Sequence, residues 1–298
     1  MSVFIQVVFP VLLVFLCGFG IQKWKQLDIK SVSTVAIYIL TPCLVFETFY
    51  DAKLNGEYII IVAFSACLLA AIIIINKITK VIKGYDQSVE SGMILSTAFM
   101  NSGNYGAPIV LFAFGEEGFA YSVSFLVLQA IIMNFFGVYY AARGQSGMKL
   151  AAQSVMKMPA TYAVIIALLM NVLHIPMPEN LFSAIHLIAD AAIPGVMIVL
   201  GMQLADISVK SMEWGKVSYA SSLRLLVSPL IALLLVWIMP VDPLLAKVLI
   251  VSAAMPSAAT TTMYAVEFNA RPELVSSITL VTTLASIVTI STLLTFIS

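Results

Sequence analysis

The chain alternates between long apolar runs and short polar stretches. A run of roughly 20 apolar residues can span a bilayer as a helix, because each residue adds about 1.5 Å to the length of the helix. Each run is predicted to be one membrane-spanning helix, and the ten runs are 3–21, 32–49, 58–78, 89–112, 119–142, 159–173, 181–204, 217–239, 244–266 and 274–297. The pattern therefore predicts an all-α polytopic membrane protein.

Composition supports this prediction and excludes several functional classes. Of the 298 residues, 61% are hydrophobic and 10% are charged, which is far more apolar than an ordinary soluble domain. The histidines and cysteines show no metal-ligand spacing. Motifs for hydrolysis, phosphoryl transfer or nucleotide binding are also missing from the sequence. We therefore expect no enzyme activity, no catalytic residue, no metal or other cofactor and no nucleic-acid partner.

Basic residues are placed unevenly between the predicted loops. Loops after the odd-numbered helices contain twelve of the 15 lysines and arginines, namely Lys23, Lys25, Lys30, Lys77, Lys80, Lys83, Arg143, Lys149, Lys157, Lys210, Lys216 and Arg271. Because cytoplasmic loops are enriched in lysine and arginine, these loops are predicted to be cytoplasmic and both termini to lie outside. This orientation fits a multi-pass protein of the cytoplasmic (inner) membrane.

The predicted helices divide into two equal halves. Residues 1–142 contain five runs, residues 143–158 form a polar cytoplasmic linker, and residues 159–298 contain five more runs. An odd number of helices in each half means that the second half enters the membrane with the opposite orientation. The sequence thus predicts two inverted five-helix repeats. Pro42 and Pro194, in the second helix of each half, lie at similar positions and support this repeat.

Two polar interruptions lie at corresponding places in the two halves. The segments are "MNSGNYGAPIV" at 100–110 and "AAMPSAATTTMYA" at 253–265. In hydrocarbon each unpaired backbone polar group costs several kcal/mol, so a helix is broken only where protein or a wet cavity satisfies those groups. Paired breaks of this kind are typical of transporters, whose substrate lies near the middle of the membrane.

The same segments carry a family resemblance. "AAMPSAATTTMYAVEFNARPELVSS" at 253–277 and "NSGNYGAPI" at 101–109 resemble the ninth and fourth helices of the auxin efflux carrier family, which includes bacterial malate or malonate permease-like proteins. The resemblance covers essentially the whole chain. It implies a PIN-like transporter fold with scaffold helices 1, 2, 6 and 7 and transport helices 3–5 and 8–10. Helices 4 and 9 would be broken and cross, and an elevator-type motion would carry an anion bound at the crossing.

The chain departs from the plant auxin carriers in two respects. It lacks their long hydrophilic central loop. The Pro-Asn of the plant crossings is replaced by Gly103-Asn104 and by Pro256-Ser257. Both departures count against auxin itself as the substrate.

Candidate substrate-binding residues lie at both breaks. At the first break they are Asn101, Gly103, Asn104 and Pro108. The N-terminus of a half-helix favours an anion, an asparagine amide can donate to a carboxylate, and proline can begin a helical turn. Alternatively, the asparagines only satisfy the broken backbone.

At the second break the candidates are Pro256, Ser257 and Thr260. The hydroxyls of Ser257, Thr260 and the following Thr261 and Thr262 either contact the substrate or bond to carbonyls one turn back, which is the common fate of serine and threonine in membrane helices.

Arg224 lies in the middle of a predicted helix, where a charged side chain costs about 2.5–3.5 kcal/mol on insertion scales. It therefore needs a partner, and we expect Asp190 or Glu47. Such a pair would be a structural ion pair, a proton-linked switch or a counter-ion for the substrate.

The sequence as a whole favours a secondary active transporter of small organic anions in a lipid bilayer. Expected substrates are mono- or dicarboxylates such as malate and malonate, or auxin-like acids. A membrane receptor or sensor with a transporter fold is the alternative. Proton coupling, sodium coupling and uniport stay open, as does assembly into a homodimer, and Asp190 or Glu47 is the candidate group for proton coupling.

Overall fold

The computed structural model describes residues 4–51, 56–142, 153, 156–157, 159–206 and 212–297. Within these residues the chain is helical and forms no β-strand beyond one isolated bridge. The helices are α1 (Phe9–Lys25), α2 (Ile29–Tyr50), α3 (Glu57–Lys83), α4 (Gln87–Ala98), α5 (Ser102–Ala141), α6 (Pro159–Val172), α7 (Glu179–Ala205), α8 (Trp214–Ile238), α9 (Pro243–Ala253), α10 (Thr260–Glu267) and α11 (Pro272–Ile297).

Among the described residues, six helices are long and apolar enough to cross a membrane: α2, α3, α5, α7, α8 and α11. The helices α6 and α9 are apolar but shorter. The all-α polytopic prediction is thus confirmed at this level. The count of ten helices and their inverted arrangement stay predictions.

Backbone breaks change the predicted boundaries in both halves. The run 89–112 is divided, because α4 ends at Ala98 and α5 begins at Ser102. Within α5 the backbone is non-helical at Gly115, where φ is 69° and ψ is −167°, so two helical parts meet in the gap predicted between the fourth and fifth runs. The run 244–266 is likewise divided into α9 and α10. Hydropathy reports only which residues are apolar. The helix boundaries also depend on backbone conformation, such as a positive φ that glycine adopts readily.

Prolines explain most of the widened helical turns. Four π-helical turns each end two residues before a proline: Phe4–Val8 before Pro10, Ala36–Leu40 before Pro42, Ser102–Gly106 before Pro108, and Leu223–Val227 before Pro229. Proline has no N–H and its ring clashes with the carbonyl four residues earlier. A wider turn relieves this clash. The prolines therefore determine where the turns that contain Asn104 and Arg224 occur.

The helices pack in two groups. α1 crosses α7 closely at Gly18 and Gly201, and a Cβ atom added at either glycine would lie 2.1 Å from a main-chain oxygen of the opposite helix. α2 packs on α6 and α7 to complete this first group. In the second group α3, α4, α8, α9, α10 and α11 contact one another, and α5 packs on α9. Their assignment as scaffold and transport domains stays a prediction, and most of the predicted linker 143–158 lies outside the described residues.

Candidate functional site

The two helix breaks lie against each other. Met100 and Ser257 form an antiparallel bridge. The Asn101 N–H donates to the Pro256 carbonyl at 2.8 Å, and the Ala258 N–H donates to the Phe99 carbonyl at 3.0 Å. Each break thus satisfies backbone groups that the other leaves unpaired, as a membrane interior requires. The structure therefore contains both predicted interruptions and brings them together.

Asn101 is the most distinctive residue of this crossing. Its main-chain oxygen accepts a hydrogen bond from the Gly106 N–H at 2.9 Å, and its side chain is only 6% exposed. The side-chain Nδ2 is buried and has no hydrogen-bond partner among the described residues. α5 begins at the next residue, Ser102. A donor without a partner therefore lies at the N-terminus of a helix.

The other predicted residues of the first break share the same widened turn or follow it. Gly103 and Asn104 are partly buried in the turn Ser102–Gly106. A Cβ atom added at Gly103 would lie 2.8 Å from Leu126 Cδ1, so this turn packs closely on the later part of α5. Pro108 is buried in the first turn of the α-helical part of α5. The structure thus groups Asn101, Gly103 and Asn104 around one turn.

The polar groups of the second break bind protein groups. The buried Ser257 donates its N–H to Thr282 Oγ1 at 3.2 Å, and its Oγ accepts from Thr279 Oγ1 at 3.3 Å. Thr261 and Thr262 each donate to a carbonyl three residues earlier, at 2.7 Å. Thr260 is partly exposed at the start of α10. For Thr261 and Thr262 the alternative of bonding to a nearby carbonyl is therefore the observed one.

A stripe of hydroxyls on α11 was not predicted. Its members are Thr279, Thr282, Thr283 and Ser286, and all of them are buried. Ser286 Oγ donates to the hydroxyl of Tyr105 at 3.0 Å, and Tyr105 belongs to the first break. The residues recur at intervals of three and four, which places them on one helix face. That spacing is the sequence signal by which this supporting face could have been found.

Arg224 binds the ends of two helices rather than a carboxylate. Its side chain is fully buried, and its Nη1 donates to the Thr97 carbonyl at 2.8 Å. Its Nη2 donates to the Ala253 carbonyl and to Ser228 Oγ. The predicted pairing with Asp190 or Glu47 is wrong, because main-chain carbonyls at the ends of α4 and α9 already supply the acceptors.

Glu47 and Asp190 instead flank a histidine that was not among the predicted site residues. Glu47 Oε1 lies 2.7 Å from His186 Nδ1, and Asp190 Oδ2 lies 3.7 Å from His186 Nε2. Glu47 belongs to α2, whereas His186 and Asp190 are one turn apart on α7. The signal in the sequence was this spacing of four residues, which places both side chains on one face.

Comparison with known proteins assigns the family. The family model described as "Membrane transport protein" matches residues 3–157 and 148–294. The chain belongs to this family of membrane transporters. The predicted membership of the auxin efflux carrier family is thereby confirmed. An uncharacterized transporter of Methanothermobacter thermautotrophicus is 25% identical over 291 residues, covering 96% of this chain and 95% of the relative. The uncharacterized transporter MJ1031 of Methanocaldococcus jannaschii is 26% identical over 302 residues, covering 96% of both chains.

This membrane transport protein also has a large cavity between its two packing groups. The cavity has a volume of ≈ 1070 Å³ and is lined by residues of α1, α2, α3, α5 and α7. Six carboxylates line it: Glu47, Asp51, Glu57, Glu116, Glu117 and Asp190. Such a lining concentrates cations and repels anions.

Proposed function

We propose that this protein is a secondary active carrier that moves small organic anions, mono- or dicarboxylates, across the cytoplasmic membrane. The observation that supports this most directly is the buried Nδ2 of Asn101, which lacks a partner among the described residues. A buried donor without a partner costs about 1–3 kcal/mol. A carboxylate would accept from this amide and remove that cost.

Electrostatics at the crossing favour the same class of substrate. The first N–H groups of α5 have no carbonyl one turn back, and they form the positive end of the helix dipole. The segment 99–109, "FMNSGNYGAPI", contains no acidic side chain that would oppose an anion. A negatively charged ligand is therefore better suited to this position than a neutral or positive one.

We infer an elevator-type motion from the way the helices pack. Both breaks lie on helices of the second packing group, while α1 and α7 form the closest pair of the first. The turn Ser102–Gly106 also packs on α7, so the proposed anion site lies where the two groups meet. A sliding motion of the second group along the first would expose this site to each side of the membrane in turn.

Coupling to a cation is the second part of the proposal. The carboxylate-lined cavity favours entry of protons or sodium, and Glu47, His186 and Asp190 form a titratable cluster on its wall. With both termini outside, the cavity would open to the outer face of the membrane. We propose that protonation of this cluster is linked to transport.

The test is uptake of labelled malate, malonate and indole-3-acetate into proteoliposomes, with and without imposed pH or sodium gradients. We expect saturable uptake of at least one acid, stimulated by a pH gradient. Asn101→Ala should raise the apparent KM about 10- to 100-fold, because a hydrogen bond to a charged group contributes about 1.5–3 kcal/mol.

Asn134→Ala is the matched control, since it removes the same type of side chain from α5, the helix that Asn101 immediately precedes. Asn134 donates to the Ala130 carbonyl at 2.8 Å and accepts from the Tyr264 hydroxyl at 2.8 Å, so its amide is already satisfied. This variant should lower thermal stability and leave the KM unchanged. Binding of an acid without uptake would favour a receptor, and an unchanged KM in Asn101→Ala would exclude the first break as the site.

A further inference from the structure

The fully buried Arg224 is positioned by a local feature of its own helix. It is the second residue of the π-helical turn Leu223–Val227. Pro229 follows this turn. Ser228 holds the same guanidinium, because its Oγ accepts from Nη2 at 2.6 Å and donates to the Ala253 carbonyl at 2.9 Å. Ser228 Oγ and the Arg224 guanidinium thus bind the same carbonyl.

The two carbonyls that Arg224 binds each lie in the last turn of a helix that precedes a break. Thr97 lies in the last turn of α4, four residues before Asn101. Ala253 ends α9, four residues before Ser257. The last carbonyls of a helix have no intrahelical donor and carry its negative dipole end. One guanidinium therefore satisfies the C-terminal ends of both broken helices.

The charges at the crossing can be compared by sign and size. Each helix C-terminus carries about −0.5 of an elementary charge, so α4 and α9 together balance one guanidinium. The N-termini of α5 and α10 carry about +0.5 each. The segments 99–104 and 254–262 contain no acidic side chain to offset them. The Nε of Arg224, which belongs to the same guanidinium, is buried without a hydrogen-bond partner among the described residues.

We propose that Arg224 is a positioning residue that cancels the negative ends of α4 and α9, so that the crossing selects ligands carrying a carboxylate charge over their uncharged isosteres. Its Nη donors are occupied by protein carbonyls and Ser228, so it acts on the anion through its charge rather than by contact. This inference rests on the proposed function, because it assumes that an anion binds at the crossing.

The experiment measures binding to the purified full-length protein in lipid nanodiscs. Two pairs of probes have nearly the same shape but differ in charge, with an amide NH2 in place of a carboxylate oxygen: indole-3-acetate against indole-3-acetamide, and malonate against malonamide, each measured by competition. The variants are Arg224→Gln, which removes the charge, Arg224→Lys, which keeps it, and Ser228→Ala, which removes a hydrogen bond but leaves the charge of Arg224 unchanged.

We expect Arg224→Gln to weaken carboxylate binding by about tenfold more than amide binding. Arg224→Lys should restore most of this preference, and Ser228→Ala should change it by less than about twofold. A purely structural role would instead weaken carboxylate and amide binding by the same factor, and that result would overturn the proposal. If Arg224→Gln does not fold, the test rests on Arg224→Lys. A folded lysine variant that binds the carboxylate and the amide equally well would also overturn the proposal.

The proposed function can fail separately from this inference. If the unmodified protein binds neither carboxylate, both the proposed function and the role of Arg224 are wrong. If it binds a carboxylate and the preference over the amide is the same in all variants, only the role of Arg224 is wrong.

Discussion

The two helix breaks share a backbone arrangement but differ in their side chains. At the second break, Ser257 and the threonines that follow it form hydrogen bonds with nearby protein groups. At the first break, Asn101 keeps a buried Nδ2 that has no partner among the described residues. Because the main-chain bonds between the breaks are reciprocal, the difference arises from side chains alone. This difference supports the proposal that the first break binds the ligand, whereas the second break supports the crossing.

Among the substitutions that test this comparison, Asn101→Asp should have the largest effect on uptake. The carboxylate has the same shape as the amide, and the dipole of α5 stabilises a negative charge at this position. We expect uptake of organic anions at neutral pH to fall by about a hundredfold or more, while the melting temperature stays equal or rises. Uptake assays with thermal-shift measurements test both effects. Uptake within about threefold of the unmodified protein would contradict an anion site at the first break.

The N-terminal caps of the broken helices provide an intermediate test. Asp242 accepts from the N–H groups of Leu244 and Leu245 at 2.8 and 3.2 Å, and Asp86 accepts from the Val89 N–H at 2.8 Å. Each substitution by alanine should lower the free energy of unfolding by about 1 kcal/mol, with the larger loss for Asp242→Ala.

Neither cap variant should change the KM for uptake, because the caps lie at the far ends of α4 and α9 from the breaks. Chemical denaturation and uptake are measured on the same preparations. A KM raised tenfold by either variant would show that the position of α4 or α9, and not only the break that follows it, determines binding.

Ser257→Ala should have the smallest effect. Its Oγ accepts one long hydrogen bond of 3.3 Å, while its main-chain contacts do not need the side chain. We expect a loss of less than about 1 kcal/mol in stability and a KM within about twofold of the unmodified protein. If Ser257→Ala raises the KM as much as Asn101→Ala, the two breaks contribute equally and the contrast drawn above is wrong.

The sequence predicted the positions of the breaks because glycine, asparagine and proline interrupt otherwise apolar runs there. The boundary predicted between residues 112 and 119 also agrees with the non-helical backbone at Gly115, where the polar residues Glu116 and Glu117 interrupt the apolar pattern. Most of the helix limits were within a few residues, as for α6, predicted at 159–173 and observed at Pro159–Val172.

The environment of Arg224 was predicted only in part. The cost of placing its charge in the membrane correctly indicated that Arg224 has a buried partner. The prediction considered only acidic side chains as partners and therefore missed main-chain acceptors. Any residue at the end of a helix supplies such a carbonyl, so no residue type marks Thr97 or Ala253 as partners. The widened turn before Pro229 adds a further shift in the direction of the side chain. His186 was missed because one of its two partners, Glu47, lies on a helix that is distant in sequence.

The bridge between Met100 and Ser257 has a consequence for how such carriers diverge. It is built from main-chain N–H and carbonyl groups, which every residue except proline supplies in full. Side chains at the joint can therefore be exchanged without undoing it. On the proposed function, a lineage could acquire new substrates by substitution at position 101 or 104, because the main-chain bonds of the crossing do not depend on those side chains.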